Sequence, residues 1–261
     1  MKIHLSLMQI NMKKIFQIAL GFCFSVSLFA QDNPATETSK KKDWSKVKLT
    51  GRANDHLMIQ FGMAGWAKKP DSINTARFSR SFNFYVMIDM PFKTDPRFSV
   101  AFGPGIGTDH IFFEKTNISI TERLKPLRFQ NVKDTNHFQK SKLVNAYLEL
   151  PIELRFSMNP ENNKKSFKAA LGIKIGTLMD VHTKNKNWVD KTDNTIAGFS
   201  DKFVQKQKDK YFFNSNRFVG TMRVGYGSMS LFATYNLGVF VKEGLGPNVK
   251  PYSIGLTLSG L

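Results

Sequence analysis

Eight segments of the chain alternate apolar and polar side chains with a period of two, which is the period of a β-strand with two different faces. They span residues 57–66, 81–90, 97–107, 142–157, 166–178, 216–226, 229–241 and 250–259. In the fourth segment the even positions from Val144 to Phe156 are apolar, whereas the odd positions carry Glu149, Glu153 and Arg155. No segment keeps the period of a helix, so the sequence predicts an all-β fold.

Long and short connections alternate between these segments. The links after the second, fourth and sixth segments are short, whereas those after the third and fifth run to about 35 residues each. The long links therefore lie at one end of the strands, as the outer loops of outer-membrane barrels do. An even number of strands can also close without a free edge. We predict an eight-stranded antiparallel up-and-down transmembrane β-barrel, in which the two-residue turn at Gly227–Ser228 pairs Val224 with Leu231 and Met222 with Ala233.

The polar faces of the segments are small and rich in glycine, especially in 97–107 and 166–178. Such faces suit the crowded interior of an eight-stranded barrel, whereas a soluble exterior would carry dense Lys and Glu. We therefore expect the apolar faces to meet lipid, with outward aromatic residues near the strand ends in interfacial girdles. These aromatic residues are Phe82, Phe98, Tyr226 and Tyr252. The alternative is a soluble periplasmic, lipocalin-like ligand-binding barrel with its apolar face inward.

The N-terminus has the layout of a secretory signal peptide. Two lysines follow Met12, an apolar run extends from 15 to 30, and a polar stretch begins at Gln31. The apolar run is shorter than the about 20 residues that a membrane-spanning helix needs. Met12 is a better initiator than Met1. We predict a signal peptide at 1–30, a flexible periplasmic leader at 31–55 and the barrel domain at 56–261.

The chain is strongly basic, with 38 Lys and Arg against 20 Asp and Glu. Its one cysteine, Cys23, lies in the predicted signal peptide, so the mature chain can form no disulfide or thiolate metal site. The histidines show no metal-ligand spacing, and we predict no metal and no cofactor. A basic exported protein favours anionic partners such as outer-membrane lipid and lipopolysaccharide, and we expect no nucleic acid partner.

The run YLELPIELRF at 147–156, the signal peptide ending in FAQ and the glycine-spaced strands resemble the outer-membrane β-barrel proteins of Bacteroidota. This broad group includes PorT-like proteins, and the similarity covers residues 56–261. The resemblance implies a barrel in the cell outer membrane, built with the barrel assembly machinery, without assigned catalytic residues. Envelope and secretion proteins are candidate partners. The members differ widely in role, so the resemblance does not assign one to this chain.

Charged residues on the polar faces predict a charge network in the lumen. Its members are Asp89, Glu149, Glu153, Arg155, Lys168, Lys174, Arg217 and Arg223. Antiparallel pairing places Glu149 beside Lys174 in one register and Glu153 beside Lys168 in another. We interpret the set as structural, because buried charges must be paired. The alternative is a gate or a narrow ion path.

Two carboxylate–histidine pairs raise an enzymatic alternative, a barrel enzyme acting on lipid A or peptides. Asp109 precedes His110, and Asp180 lies two residues before His182. A carboxylate can orient an imidazole as a general base, but neither pair comes with a nucleophile motif. We therefore predict a non-enzymatic protein with an envelope structural, binding or secretion-assembly role. The run GPGIG at 103–107 lies in a strand, which favours packing or a kink over phosphate binding.

The predicted long loop after the fifth segment is rich in lysine. Its lysines include Lys184, Lys186, Lys202, Lys206, Lys208 and Lys210. Solvated loop charge is one interpretation, and contact with lipopolysaccharide phosphates is the functional one. The stretch from Ser200 also predicts a short helix with Ser200 as its N-cap.

Overall fold

The computed structural model describes residues 56–76, 78–196, 198 and 203–260. The predicted signal peptide and leader, and Lys202, lie outside these residues. In the described part of the chain there are thirteen β-strands and a three-residue 3-10 helix at Asn163–Lys165. The strands are β1 (Leu57–Ala67), β2 (Arg80–Val86), β3 (Ile88–Pro91), β4 (Phe98–Phe102), β5 (Gly105–Phe113), β6 (Thr116–Ile118), β7 (Phe129–Asn131), β8 (His137–Ser157), β9 (Phe167–Val189), β10 (Val204–Lys208), β11 (Asn216–Tyr226), β12 (Met229–Asn236) and β13 (Lys250–Ser259). Among these residues, no helix has the length and apolar character needed to cross a membrane.

Eight strands form consecutive antiparallel pairs. The pairs are β1–β2, β2–β5, β5–β8, β8–β9, β9–β11, β11–β12 and β12–β13, and β13 also pairs with β1. The fold is all-β and antiparallel, as the alternation predicts. The turn at Gly227–Ser228 places Val224 opposite Leu231 and Met222 opposite Ala233, so the predicted hairpin register is confirmed.

Two of the predicted segments are interrupted. The segment at 81–90 forms β2 and β3, which are separated at Met87, and the segment at 97–107 forms β4 and β5, which are separated at Gly103–Pro104. A Cβ on Gly103 would collide with the carbonyl oxygen of Val86, so the close approach of these backbones requires glycine. The glycine-rich run is therefore a kink with close backbone packing.

Pro151 lies opposite this interruption. β8 pairs with β5 as far as Glu149 and with β4 from Ile152 onward, so the ladder on this side has a gap at Pro151. A proline lacks the N–H that a ladder uses, and a gap is where that loss costs least. The irregularity on the other side of β8 lies elsewhere, because the β8–β9 register shifts between Ala146 and Tyr147.

The two faces of the paired strands differ sharply in exposure. The outward faces are apolar and exposed, and they include Phe61, Ile106, Leu148, Ile173, Leu231 and Ile254. The aromatic residues predicted to point outward, Phe82, Phe98, Tyr226 and Tyr252, are also exposed. The opposite faces are buried and largely polar, and they include Gln60, Asn83, Glu149, Lys174, Arg217 and Thr257. This arrangement is the reverse of that expected for a soluble, lipocalin-like barrel.

β8 and β9 extend far into the regions that the sequence predicts as long loops. They contain 21 and 23 residues, about twice the 9–11 residues that a membrane-crossing strand needs. The strand β10 pairs with residues 182–186 of β9, so the helix predicted from Ser200 is wrong over Val204–Lys208. The edge of the extended β9 offers backbone partners to this stretch, and that pairing outweighs its local helical pattern.

An apolar cluster, which we call the apolar cap, lies at the long-loop end of the eight paired strands. It consists of Trp66, Ile73, Ile111, Phe113, Ile118, Ile120, Leu127, Leu143, Tyr147, Leu178, Val181, Phe212, Phe213, Phe240, Val241 and Val249. The Trp66 ring contacts those of Phe113, Phe129 and Phe240 at centroid distances of 5.6, 5.7 and 5.9 Å. The strand extensions and the loops thus share one apolar core, which lies at the long-loop end of the polar faces.

Candidate functional site

The first group of buried charges, the Glu149 cluster, consists of Asp109, Glu149, Lys174 and Arg217. Arg217 Nε donates to Glu149 Oε1 at 2.7 Å, and Arg217 Nη1 donates to Asp109 Oδ2 at 3.0 Å. Tyr85 Oη donates to Glu149 Oε2 at 2.5 Å, and Lys174 Nζ donates to Tyr85 Oη at 2.9 Å. The tyrosine hydroxyl therefore links the lysine to the carboxylate, and the cluster joins strands β2, β5, β8, β9 and β11.

Neutral amides and a hydroxyl extend the Glu149 cluster to two further strands. Lys174 Nζ donates to Gln60 Oε1 at 3.0 Å, and Asn83 Nδ2 donates to the same oxygen at 3.2 Å. Gln60 Nε2 in turn donates to Thr257 Oγ1 at 3.1 Å on β13. Seven of the eight paired strands therefore contribute to one continuous hydrogen-bond network. Such a network fixes the positions of the strands relative to one another.

The second group, the Glu153 cluster, consists of Asp89, Glu153, Arg155 and Arg223. Arg223 contacts Glu153 in a bidentate manner, with Nε donating to Oε1 at 3.2 Å and Nη2 donating to Oε2 at 2.7 Å. Arg155 Nε also donates to Glu153 Oε2 at 3.1 Å. Asp89 Oδ1 lies 3.9 Å from Arg155 Nη1. The planar fork of arginine matches a carboxylate in this way, which makes the pairing specific as well as strong.

Each cluster contains two cations and two anions. The formal charges within the Glu149 cluster and within the Glu153 cluster therefore cancel, although the whole chain has a formal charge of +18. Removing a charge from water is costly unless an opposite charge lies beside it. Because each cluster is neutral overall, its four charged side chains can be buried on the inner faces of the paired strands.

The register between β8 and β9 differs from both predicted pairings. Glu149 lies opposite Gly176, and Glu153 lies opposite Gly172. Lys174 instead lies opposite Pro151 and reaches Glu149 only through Tyr85. Lys168 lies opposite Ser157, four residues from the level of Glu153, or about 13 Å along the strand. Both pairings were wrong because the turn after β8 sets a register that the alternation alone leaves open.

Glycines make room for the Glu149 cluster. A Cβ on Gly107 would lie 2.5 Å from Glu149 Oε2 and 2.8 Å from Arg217 Nη2. A Cβ on Gly176 would lie 3.1 Å from Glu149 Cγ and 3.2 Å from Arg217 Cγ. The Gly-rich polar faces therefore leave the volume that two long charged side chains fill.

Little space remains beside the Glu149 cluster. A cavity of about 20 Å³ lies next to Asn83, Lys174 and Arg217, which is room for about one water molecule. On the long-loop side, the guanidinium of Arg217 lies 3.8 Å from the centroid of the Tyr147 ring, and Tyr147 belongs to the apolar cap. The space around the Glu149 cluster is therefore largely filled by side chains and is bounded at one end by apolar residues.

A family model described as outer membrane protein beta-barrel domain matches residues 29–242. The chain belongs to this outer-membrane β-barrel family. Membership implies an outer-membrane location for the protein. The matched range ends before β13, which pairs with β1 and β12 in the structure. A search of curated proteins found no match.

The two carboxylate–histidine pairs of this outer-membrane protein differ from each other in the structure. Asp109 is buried on the inner face with Arg217, whereas His110 Nδ1 lies on the outer face, 3.4 Å from Lys142 Nζ. This pair is therefore not a dyad, because neighbouring residues of a strand point to opposite faces. Asp180 and His182 do meet on the outer face, with Oδ2 and Nδ1 2.6 Å apart.

A further aspartate–histidine contact joins the start of β8 to the loop after β9. His137 Nε2 lies 3.0 Å from Asp193 Oδ1, and Lys115 Nζ donates to Asp193 Oδ2 at 3.3 Å. The hydrogen bond from His137 is the main cause that lowers the pKa of Asp193. Within the described residues, no three His, Cys, Asp or Glu side chains are arranged to hold a metal ion.

The predicted basic loop is largely sheet. Lys184 and Lys186 lie in β9, Lys206 and Lys208 lie in β10, and Lys210 follows that strand. Lys202 lies outside the described residues. Sequence reasoning missed Lys140 and Lys142, which pair directly with Lys186 and Lys184. Extending the alternation of the fourth segment upstream from 142 would have placed both lysines on its outward face.

Sequence reasoning also missed five members of the Glu149 network, namely Gln60, Asn83, Tyr85, Asp109 and Thr257. Asp109 has the same parity as the inward Gly105 and Gly107, so extending that segment by two residues would have placed it on the polar face. Tyr85 and Gln60 alternate with apolar outward neighbours in the same way. The odd or even position of each residue in its segment therefore indicated that the side chain points inward. It could not indicate which inward residues meet.

Proposed function

We propose that the eight paired strands close into a transmembrane barrel with the Glu149 and Glu153 clusters in its lumen and the apolar cap at its outer end. In this proposal the protein is a non-conducting, non-enzymatic anchor that presents its strand extensions and loops outside the membrane. The observation that carries it is the filled, charge-neutral interior beneath the apolar cap. The space beside the Glu149 cluster, with room for about one water, offers no path to a hydrated ion at that level.

We also propose how the protein is exported and to which proteins it is related. Residues 1–30 act as a signal peptide, and the chain belongs with the PorT-like proteins of Bacteroidota. Partners among envelope or secretion proteins would bind the outer loops or the periplasmic turns. The YLELPIELRF run at 147–156 and the apolar stretch at 15–30 support these points.

Two features support a non-enzymatic role. Asp109 and His110 face opposite sides of β5, and Asp180 is shared between His182 and Lys208, whose Nζ lies 2.6 Å from Asp180 Oδ1. A salt-bridged carboxylate beside a histidine stabilises that corner of the sheet without a nucleophile. Lipid A mass spectra that are identical for wild type and His182→Ala, with no substrate turnover, are the expected result.

Conductance tests the closed lumen. The full chain is refolded into phospholipid vesicles, its insertion is verified by heat-modifiable gel mobility, and the vesicles are fused with a planar bilayer. We expect no steady current from the wild type, while a general porin treated identically conducts. Stable channels from the inserted wild type would overturn the proposal, and loss of those channels in Glu149→Ala would instead assign the clusters to a gate.

Fractionation tests the transmembrane barrel itself. We expect the protein in the outer-membrane fraction, with a folded form that migrates faster on gels until it is boiled. Recovery in the soluble periplasm, without heat-modifiable mobility, would support a soluble barrel and would contradict the proposal.

A further inference from the structure

Basic side chains continue the outward face of four neighbouring strands above the exposed apolar band. At the level of the band, Phe84 pairs with Ile106, and Ile106 pairs with Leu148. Two outward-facing pairs closer to the long loops, Arg80 of β2 lies opposite His110 of β5, on the same outward faces of these strands. Every second residue of β2, β5 and β8 shares a face, and the register shift opposite Ala146 and Tyr147 brings Lys184 and Lys186 of β9 onto the same face as their β8 partners. The apolar rows and the basic rows therefore form one continuous outer surface.

The basic rows place like charges directly opposite one another. Lys142 on β8 pairs with Lys184 on β9, which pairs with Lys206 on β10, and Lys140 pairs with Lys186. We call these five lysines the basic wall. Like charges in direct cross-strand pairs destabilise a sheet, so this arrangement costs folding free energy. Among the described residues, no carboxylate lies within ion-pair distance of any of the five.

The basic wall is shaped as a hollow. A cavity of about 200 Å³ is lined by Phe112, Ser141 and four of the lysines, Lys140, Lys142, Lys184 and Lys186. Phe112 belongs to this lining, and Lys142 Nζ lies 5.6 Å from the centroid of its ring. Four flexible lysine side chains that line one hollow can bring their ammonium groups to one anionic group with several charges.

We propose that the basic wall binds the phosphate groups of a lipid in the outer leaflet of the membrane. The apolar rows below the wall would contact the acyl chains of the same molecule, which a free anion does not have. A phosphate offers three acceptor oxygens, and lysine binds it as a mobile point charge. Each lysine near an anionic lipid surface adds to the attraction, so four lysines act together. This inference rests on the proposed transmembrane barrel, because only that orientation brings the wall to the level of lipid headgroups.

Retention of defined lipids in native mass spectrometry tests the proposal. The full chain is inserted into phosphatidylcholine nanodiscs that contain diphosphorylated lipid A or its dephosphorylated form with the same acyl chains, and is then released into mild detergent. The test variant carries Lys140→Gln, Lys142→Gln, Lys184→Gln and Lys186→Gln. The matched control carries Lys93→Gln, Lys125→Gln, Lys133→Gln and Lys164→Gln, which removes the same charge at exposed positions elsewhere.

We expect the wild type and the control to retain the phosphorylated lipid, and the test variant to retain it less by about tenfold or more. Equal retention by the test variant and the wild type would overturn the inference, as would equal retention of the dephosphorylated lipid. Excess inorganic phosphate that releases the lipid only in part supports a lipid-specific site, whereas complete release at millimolar phosphate would indicate a free-phosphate site and overturn it. A wild type that fails to insert, judged by gel mobility, would refute the proposed barrel and this inference with it, whereas insertion without lipid selectivity refutes the inference alone.

Discussion

The guanidinium of Arg217 lies 3.8 Å from the centroid of the Tyr147 ring, while its N–H groups donate hydrogen bonds to Glu149 and Asp109. The polar interior and the apolar cap meet at this contact. An arginine whose N–H groups reach two carboxylates and whose plane contacts an aromatic ring has its charge compensated by protein groups. Arg217 is therefore the residue on which both the charge balance and the closure of the interior depend.

Replacing Arg217 by methionine should strongly destabilise the protein. R217M leaves the carboxylates of Glu149 and Asp109 buried without their shared cation, which costs about 3–5 kcal/mol of unfolding free energy. Urea unfolding in phospholipid vesicles, followed by heat-modifiable mobility, measures the loss. Arg128, which is exposed in an outer loop, provides the matched control R128M, with an expected change below about 0.5 kcal/mol.

Neutralising one carboxylate as well should recover part of that loss. The double variant that combines R217M with Asp109→Asn keeps one carboxylate, Glu149, for the one remaining cation, Lys174, so its charges balance and we expect it to be more stable than R217M alone. The same urea titration compares the two variants. A double variant no more stable than R217M would show that the arginine acts through packing rather than through charge.

Adding a methyl group at Gly107 should disturb the Glu149 cluster. The new Cβ would lie 2.5 Å from Glu149 Oε2, so Gly107→Ala should cost about 1–3 kcal/mol through overpacking. Gly220→Ala is the control within a strand, because its Cβ would meet no heavy atom closer than 3.9 Å. Unfolding midpoints in urea decide the comparison, and equal effects at the two positions would contradict the crowded interior.

The apolar cap should stabilise the outer extension. Phe240→Ala removes a buried ring that lies 4.7 Å from Phe213 and 5.9 Å from Trp66, at an expected cost of about 3–5 kcal/mol. The fully exposed Leu124 provides the control Leu124→Ala, which should change little. Calorimetry of the vesicle-inserted protein measures the loss. A red shift of the tryptophan emission, measured in a background with Trp44→Phe and Trp188→Phe, locates it beside Trp66. Unchanged stability and emission would show that the cap is not a cooperative core.

Acid should release a tether between two outer loops. Arg123 donates to Asp209 through Nε at 2.7 Å and Nη2 at 3.1 Å, and this pairing lowers the pKa of Asp209 below its usual range. A carboxyl with a lowered pKa stabilises the folded state above about pH 4, the usual value for an unfolded Asp, and this contribution is lost as the pH falls through the folded value. Hydrogen exchange of residues 119–128, corrected for the intrinsic rate, should therefore rise between pH 5 and pH 3.

A substitution separates this effect from general acid unfolding. Asp209→Asn should show the faster exchange of residues 119–128 already at pH 5, since it lacks the charge that Arg123 binds. Asp134→Asn, an exposed loop position, is the control and should exchange as the wild type does. Identical exchange for Asp209→Asn and the wild type at pH 5 would exclude the tether.

The period of two in the sequence determined that the chain forms antiparallel strands, which faces are apolar, and where the tight hairpin at Gly227–Ser228 pairs. These features are local, because alternation and turn residues act over a few neighbours. The tertiary structure decided the rest. It set the β8–β9 register, which links Glu149 directly with Arg217 rather than with Lys174. It divided two segments, at Met87 and at Gly103. It also turned two predicted long loops into strand extensions that share an apolar core. It also stacked Lys142, Lys184 and Lys206 side by side. Each of these outcomes depends on residues far apart in the chain, whose meeting is fixed by register and packing and not by any local pattern.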